Sequence, residues 1–141
     1  MINTNREERY KFTKAERVAG AKRVDAIFSS GESFISYPLR IVYLQHEQSL
    51  LPRCSILVTV PKKRIKKAVH RNRIKRLVRE SFRLNKKLVN EIELCNQSLD
   101  IAFIYVKDTV SDYKEIQKAM HKALKQIAIR TQKREESEQA K

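Results

Sequence analysis

The sequence predicts a single α+β domain in which helices pack on a small β-sheet. A chain of 141 residues is long enough for one compact domain and too short for two ordinary ones. Short segments of β-branched and aromatic residues alternate with longer segments whose apolar residues recur every three or four positions. Hydrophobic residues make up 41% of the chain, so a modest core can form between these elements.

The first helix is predicted to begin near Thr13-Lys14-Ala15-Glu16, which has the spacing of a capping box. Gly20 is predicted to divide this stretch into a short turn and a longer helix. Gly31 suits the C′ position that follows a last helical turn. Apolar side chains recur at helical spacing in between: Val18, Val24, Ile27 and Phe28.

Three segments have the composition of β-strands. Residues 39–44 (LRIVYL) and 54–60 (CSILVTV) are rich in strand-forming residues, and residues 45–52 between them read as a polar loop. Residues 100–106 (DIAFIYV) are almost continuously apolar, which predicts a buried central strand.

Two further helices follow the strands at 54–60 and 100–106. A long basic helix is predicted at about residues 68–88, and Ser111 is predicted to cap the last one. Apolar residues of the last helix recur at three and four: Ile116, Met120, Ala123, Leu124 and Ile127. Charge without periodicity predicts a flexible basic N-terminus at 1–11 and a disordered charged tail at 131–141, around a domain at 12–130.

Composition argues against several function classes. No apolar run approaches the roughly 20 residues that span a bilayer, and residues 1–10 lack the apolar region of a secretory signal, so we expect a cytoplasmic protein. Only two glycines occur, which excludes a Walker loop or a dinucleotide fingerprint. Three scattered histidines and two isolated cysteines do not have the spacing of metal ligands. The sequence therefore predicts no catalytic residue and no metal site.

Positive charge is concentrated in one fifth of the chain. The formal net charge is +15, and residues 62–87 carry thirteen Lys and Arg against Glu80 alone. A solvated helix would spread its charge more evenly and balance it with acidic residues. This concentration instead predicts binding to a polyanion, with nucleic acid as the first candidate.

A helical wheel separates this basic segment into two faces. The apolar arc contains Ile74, Leu77, Val78, Ser81 and Phe82. The opposite arc contains Asn72, Lys75, Arg76, Arg79 and Arg83, while Arg71 and Arg73 lie nearer the flanks in the first turn. Guanidinium groups in a rigid row suit phosphate, because each can donate to two oxygens.

Residues 71–80 (RNRIKRLVRE) resemble the RNR helix of the bacterial ribonuclease P protein family, in which R-N-R-x-K-R-x-x-R follows a strand and a basic Lys-Lys loop. Residues 58–63 (VTVPKK) supply that strand and loop. The resemblance covers roughly residues 12–128. One departure is that the loop residues 64–67 (RIKK) contain no glycine, whereas the family usually has one there, which leaves the path of this loop open.

The resemblance implies a small mixed sheet in the order α-β-β-β-α-β-α, with a left-handed βαβ crossover. It implies a monomeric protein that binds a catalytic RNA and the 5′ leader of precursor tRNA, with Mg²⁺ required by the RNA-containing holoenzyme and no cofactor bound by the protein alone. The RNA, and not this chain, would carry out the hydrolysis. The residues implied in binding the catalytic RNA are Lys62, Lys63, Arg71, Asn72, Arg73, Lys75, Arg76, Arg79 and Arg83.

A separate cleft between the first helix and the sheet would hold the leader. Phe28 suits base stacking there, although a core phenylalanine is an equal alternative at this position. Ile41 and Tyr43 are expected to point into the core. The residues expected on the cleft are Phe28, Arg40, Val42, Thr59 and Lys107, provided that the strand register is the one assumed.

Three other classes of protein share some of these sequence features. A small basic ribosomal protein, or another structural RNA-binding protein, has a similar composition, but the ordered RNR motif favours the ribonuclease P family. A DNA-binding regulator would place a second helix before the basic one, where this sequence has a strand. A nuclease acting alone needs converging carboxylates or histidines, which the sequence does not offer.

Overall fold

The computed structural model describes residues 17–18, 20–47, 54–90 and 97–139. These residues form an α+β domain, as predicted, with a four-stranded sheet in the order β1-β2-β4-β3. The elements are α1 (Ala21–Ser30), β1 (Glu32–Ser36), β2 (Leu39–Glu47), β3 (Cys54–Thr59), α2 (Ala68–Asn85), α3 (Lys87–Asn90), β4 (Gln97–Tyr105) and α4 (Tyr113–Gln139). The predicted order is confirmed, with the short α3 added to it.

The sheet is mixed. Strand β2 lies antiparallel to both β1 and β4, with Ile41 opposite Phe103, whereas β3 and β4 are parallel, with Ile56 opposite Ile101. Parallel neighbours need a crossover connection, and α2 with α3 supplies it here. The left-handed sense of this crossover stays a prediction of the family resemblance.

The two faces of the sheet carry different apolar clusters, because successive side chains of a strand point to opposite faces. Ile41, Tyr43 and Phe103 pack on one face with buried side chains of α2 and α4, and this cluster is called the main core. Val42 and Ala102 pack on the other face with Ile27 of α1. The expected register of β2 is therefore confirmed: its odd-numbered residues face the main core, and its even-numbered residues face α1.

The start of the first helix differs from the prediction. The Val18 amide donates to the Ile56 carbonyl at 2.9 Å, so residues 17–18 extend along β3 and are not helical. The chain then turns at Gly20, whose φ of 93° is a conformation that favours glycine, and α1 begins at Ala21. The predicted capping box at 13–16 lies outside the described residues.

Gly31 ends α1 for a different reason from the one predicted. Its φ is −75°, so it is not the left-handed C′ residue of a helix cap. A Cβ on Gly31 would instead lie 2.4 Å from the Ile27 carbonyl oxygen and 2.9 Å from that of Tyr43. Glycine is required because two backbone segments approach each other closely at this point.

Several strand and helix bounds are corrected. Strand β1 has no segment of its own in the sequence prediction, because most of its residues are exposed and no apolar alternation marks it. Strand β2 continues to Glu47, so residues 45–47 are not in a loop, and residues 48–52 lie outside the described part of the chain. Strand β4 starts at Gln97, and α2 ends at Asn85 before a turn at Lys86.

The last helix differs from the prediction at both ends. Asp112, not Ser111, caps it, since Asp112 Oδ1 accepts from the Glu115 amide at 2.9 Å. Ser111 is buried, and its amide donates to the Tyr105 hydroxyl. The helix continues to Gln139, so residues 131–139 are helical where a disordered tail was predicted. This segment contains no Gly or Pro and several strong helix formers, which allows the preceding turns to propagate through it. Residues 1–11 and 140–141 lie outside the described residues.

Candidate nucleic-acid interface

Helix α2 presents a buried apolar face and an exposed basic face, as the helical wheel predicts. Ile74, Val78 and Phe82 are fully buried in the main core, and Leu77 packs at its margin. The opposite face forms the RNR comb, which we define by its exposed residues Asn72, Arg73 and Arg76 and its half-buried residues Lys75, Arg79 and Arg83. Packing of the apolar face fixes the direction in which these basic side chains point.

Arg83 has an acidic neighbour on its own helix. Its Nε donates to Glu80 Oε2 at 3.1 Å, one turn earlier on the same helix. The hydrogen bond from Arg83 lowers the pKa of Glu80. Surface ion pairs of this kind contribute little stability, so the Glu80 carboxylate holds Arg83 only weakly.

Arg17 extends the basic surface beyond α2, and the sequence prediction missed it. Burial lowers the pKa of Arg79, and the nearby positive charge of Arg17 lowers it further. Arg17 is exposed on the segment that pairs with β3. Two guanidinium groups brought together by the fold favour an anion beside them. No local motif points to Arg17, because its proximity to α2 arises only from the pairing with β3.

Arg71, which the wheel placed near the flank of the helix, stabilises the loop before α2. Its Nη1 donates to the carbonyl oxygens of Ile65 at 3.0 Å and Lys66 at 2.7 Å. Ile65 is buried in the main core and anchors the loop there. These contacts hold the glycine-free loop that leads into α2, and the same loop exposes Lys62 and Lys63.

The face of the sheet that carries α1 holds most of the predicted cleft residues. Phe28 is 48% exposed, which excludes the alternative of a core phenylalanine. Arg40 is exposed and Thr59 half-buried on the same face. Val42 is only 4% exposed under Ile27, so it forms part of the floor that supports α1 and is not placed to contact a ligand.

Lys107 does not belong to this face. Its Nζ donates to both carboxylate oxygens of Glu115 on α4, at 3.0 and 2.9 Å. Helix α4 packs on the opposite face of the sheet. The inclusion of Lys107 in the cleft was therefore wrong, because a position just past a strand does not determine the face on which its side chain lies.

An ion pair fixes α1 on the sheet. Arg23 donates to the two carboxylate oxygens of Asp100 at 2.8 and 2.6 Å, and Asp100 is 2% exposed. The hydrogen bond to Asp100 raises the pKa of Arg23. The sequence contained a signal for this pair: an aspartate at the start of an apolar strand needs a cationic partner, and Arg23 precedes the buried Ile27 by one helical turn.

We expect Arg23→Ala to lower the free energy of unfolding by about 3 kcal/mol, because it leaves a buried carboxylate without its main cationic partner. Urea denaturation measures this change. The matched control is Lys22→Ala, which removes an exposed cation from the same helix and should change stability by no more than about 0.5 kcal/mol. Adding Asp100→Leu to Arg23→Ala should recover much of the loss, and a double variant less stable than Arg23→Ala would contradict this role.

Comparison with known proteins identifies the family. Residues 12–128 match the family model described as Ribonuclease P. The chain belongs to the ribonuclease P protein family. The ribonuclease P protein component of Porphyromonas gingivalis strain W83 is 42% identical over 117 residues, which cover 82% of this chain and 85% of the relative. That of Clostridium botulinum strain Loch Maree is 31% identical over 117 residues, covering 82% and 97%.

Solved structures of the family share the fold. The ribonuclease P protein of Thermotoga maritima aligns with a TM-score of 0.62 at 25% identity, over 79% of this chain and 96% of that one. The Staphylococcus aureus protein aligns with a TM-score of 0.63 at 24% identity, over 79% and 94%. The family assignment makes this chain a protein subunit of ribonuclease P, whose partners are the ribonuclease P RNA and precursor tRNA. None of these matches favours the ribosomal alternative.

Among the described helices, none is both long enough and apolar enough to cross a membrane.

Proposed function

We propose that the RNR comb binds the catalytic RNA while the α1 face of the sheet binds the 5′ leader of precursor tRNA. In this arrangement the protein lies between two RNAs and offsets the repulsion between their phosphates. The RNA carries out the hydrolysis, and the protein, monomeric when free, raises the affinity for substrate. We place this activity in the cytoplasm.

The observation that carries the proposal is the separation of two different surfaces. The comb residues lie on the outer face of α2, which packs on one side of the sheet, and they offer positive charge without an exposed aromatic ring among them. Phe28 and Arg40 are exposed on the side of the sheet that carries α1. A surface of charge alone suits a folded RNA backbone, whereas a surface that exposes both an aromatic ring and an arginine suits an unpaired base and its phosphate.

The described residues do not fit a divalent metal site of the protein's own. Within them, no group of three or more His, Cys, Asp or Glu side chains could hold a metal ion. Their acidic side chains include Asp100, Glu80 and Glu115, each of which pairs with an arginine or a lysine. The Mg²⁺ that the family resemblance implies would therefore be held by the RNA of the holoenzyme.

We expect Phe28→Ala to weaken holoenzyme binding of leader-bearing precursor tRNA by about 1–3 kcal/mol, the value of one stacked base. Binding of mature tRNA, which has no leader, should barely change. Equilibrium affinities for the two substrates, measured at several salt concentrations, test this. The effect should appear only when the leader is long enough to reach α1, and it should depend less on salt than phosphate contacts do.

Arg76→Ala is the matched comparison for the other surface. It should weaken assembly with the catalytic RNA whatever the substrate. The fall in log affinity for each tenfold rise in salt should become smaller by about 0.7–0.9 for each lost phosphate contact. Equal losses for precursor and mature tRNA in Phe28→Ala would remove the separate leader surface from the proposal. If Arg76→Ala left assembly with the catalytic RNA unaffected, the comb would not be the surface that binds this RNA.

A further inference from the structure

A groove lies between the edge strand β1 and helix α4, at the edge of the sheet opposite the one beside which α2 packs. Its volume is about 510 Å³, within the range of about 300–1,000 Å³ that is typical of sites for compact organic ligands. The sheet order places β1 at one edge and β3, beside which α2 packs, at the other. The groove and the helix that carries the RNR comb therefore lie beside opposite edge strands of the sheet. Helix α4, which forms one wall of the groove, packs on the face opposite α1.

The walls of the groove are held by specific contacts. Ser36 Oγ donates to the Ala119 carbonyl at 2.8 Å, which joins β1 to α4. The ring of Phe34 packs edge-on against Tyr43, with centroids 6.1 Å apart. The Arg130 guanidinium lies over the Phe34 ring, 4.7 Å from its centroid. Strand and helix are thus fixed relative to each other along the length of the groove.

The groove is cationic. Lys118, Lys122 and Arg130 lie along one stripe of α4 and line it together. Glu115 is the acidic residue among the described lining residues, and its carboxylate is engaged by Lys107. Arg130 is already stacked on Phe34, so the positive charge available to a ligand in the groove is that of Lys118 and Lys122.

An exposed aromatic ring stands at the mouth of the groove. Tyr37 is 61% exposed in the turn between β1 and β2, and it lines the groove with the cationic stripe of α4. A positive groove with an exposed ring is the arrangement by which proteins bind single-stranded nucleic acid, since the ring stacks on a base and the cations follow the backbone.

We propose that this groove is a third RNA-binding surface, which takes a single-stranded RNA segment. Lys118 and Lys122 contact successive phosphates, and Tyr37 stacks on a base. Charge complementarity favours RNA over a second copy of the chain, because a two-fold contact would bring the same cations of both copies together. The surface goes beyond the comb and the leader face, and it can be tested separately from both.

The test is an NMR titration of the full-length protein with a short oligouridylate, followed through the backbone amides of Ser36 and Lys122. These resonances should shift and give a dissociation constant for the groove, distinct from the constants given by the amides of α1 on the leader face and of α2 on the comb. Tyr37→Ala should raise this groove constant about 5- to 150-fold, the equivalent of one stacked base. The slope of log affinity against log salt concentration for the groove should become shallower by about 1.4 in the variant with both Lys118→Ala and Lys122→Ala. Each of the two lost phosphate contacts contributes about 0.7 to that slope.

The matched control is Lys114→Ala with Lys125→Ala, which removes the same charge from exposed positions of α4 that do not line the groove. The control should leave the dissociation constant of the groove within about twofold of the wild-type value, because salt screens the attraction between RNA and exposed lysines that do not contact it. Three results would overturn the proposal: groove amides that do not shift at saturating RNA, equal weakening by the control and the groove variant, or a protein dimer in sedimentation that Tyr37→Ala dissociates. Because α2 resonances are followed in the same spectra, failure of the comb would be seen independently.

Discussion

Purified protein without RNA should leave a 5′-extended precursor tRNA uncut at every magnesium concentration. Hydrolysis needs a positioned base, nucleophile or metal, and the described residues contain no group of three or more His, Cys, Asp or Glu side chains that could hold a metal ion. Addition of the cognate catalytic RNA should produce a mature 5′ end at low magnesium, where the RNA alone is slow, because the basic protein supplies charge that magnesium otherwise provides. Gel analysis of end-labelled precursor measures both outcomes.

A variant with both Arg73→Ala and Arg76→Ala is the control for the rescue at low magnesium. Its fold should be intact, since both side chains are exposed on α2, but it should restore much less cleavage than the wild-type protein. Sustained multiple-turnover cleavage by RNA-free protein would show that the chain itself carries a catalytic site. Equal rescue by the variant and the wild-type protein would show that the comb is not the surface that binds the RNA.

Ile74→Ala should lower the free energy of unfolding by about 2–5 kcal/mol without altering any charge. Ile74 is fully buried in the main core, so truncation removes apolar contacts and leaves a cavity. Arg76, two residues further along α2, is exposed. Arg76→Ala should change stability by no more than about 0.5 kcal/mol while weakening binding to the catalytic RNA.

Urea denaturation and RNA affinity, measured on both variants, separate the two faces of α2. The RNA affinity of Ile74→Ala should be compared under conditions in which the variant is fully folded, where it should be close to that of the wild-type protein. If both substitutions mainly unfold the protein, the assignment of a buried face and an RNA-binding face is wrong.

The amphipathic helices and the central strands could be predicted because their patterns are local. Ile74, Val78 and Phe82 recur at the helical period, and burial of all three in the structure follows from that period alone. Residues 100–106 are apolar enough that only a central strand accommodates them. The comb was predicted for the same reason, since a face of a helix is determined by spacing within one segment.

Elements that depend on distant contacts were missed or misplaced. Strand β1 is mostly exposed, and it is a strand because β2 offers a partner edge, not because of its own pattern. Gly31 follows α1 because two backbone segments approach each other there, which no local rule for helix ends describes. Both outcomes depend on where remote residues lie.

The sequence by itself determined the family, the α+β class, the apolar face of α2 and the concentration of positive charge, because each is written in the spacing or order of neighbouring residues. Only the tertiary structure decided which basic residues are available to a ligand. Arg71 donates to the loop before α2 and Lys107 donates to Glu115, whereas Lys118 and Lys122 of α4 line a groove with residues of β1. The physical reason is that the fold decides which residues lie within reach of a charged side chain. Those neighbours either form an ion pair with it or bind a ligand together with it.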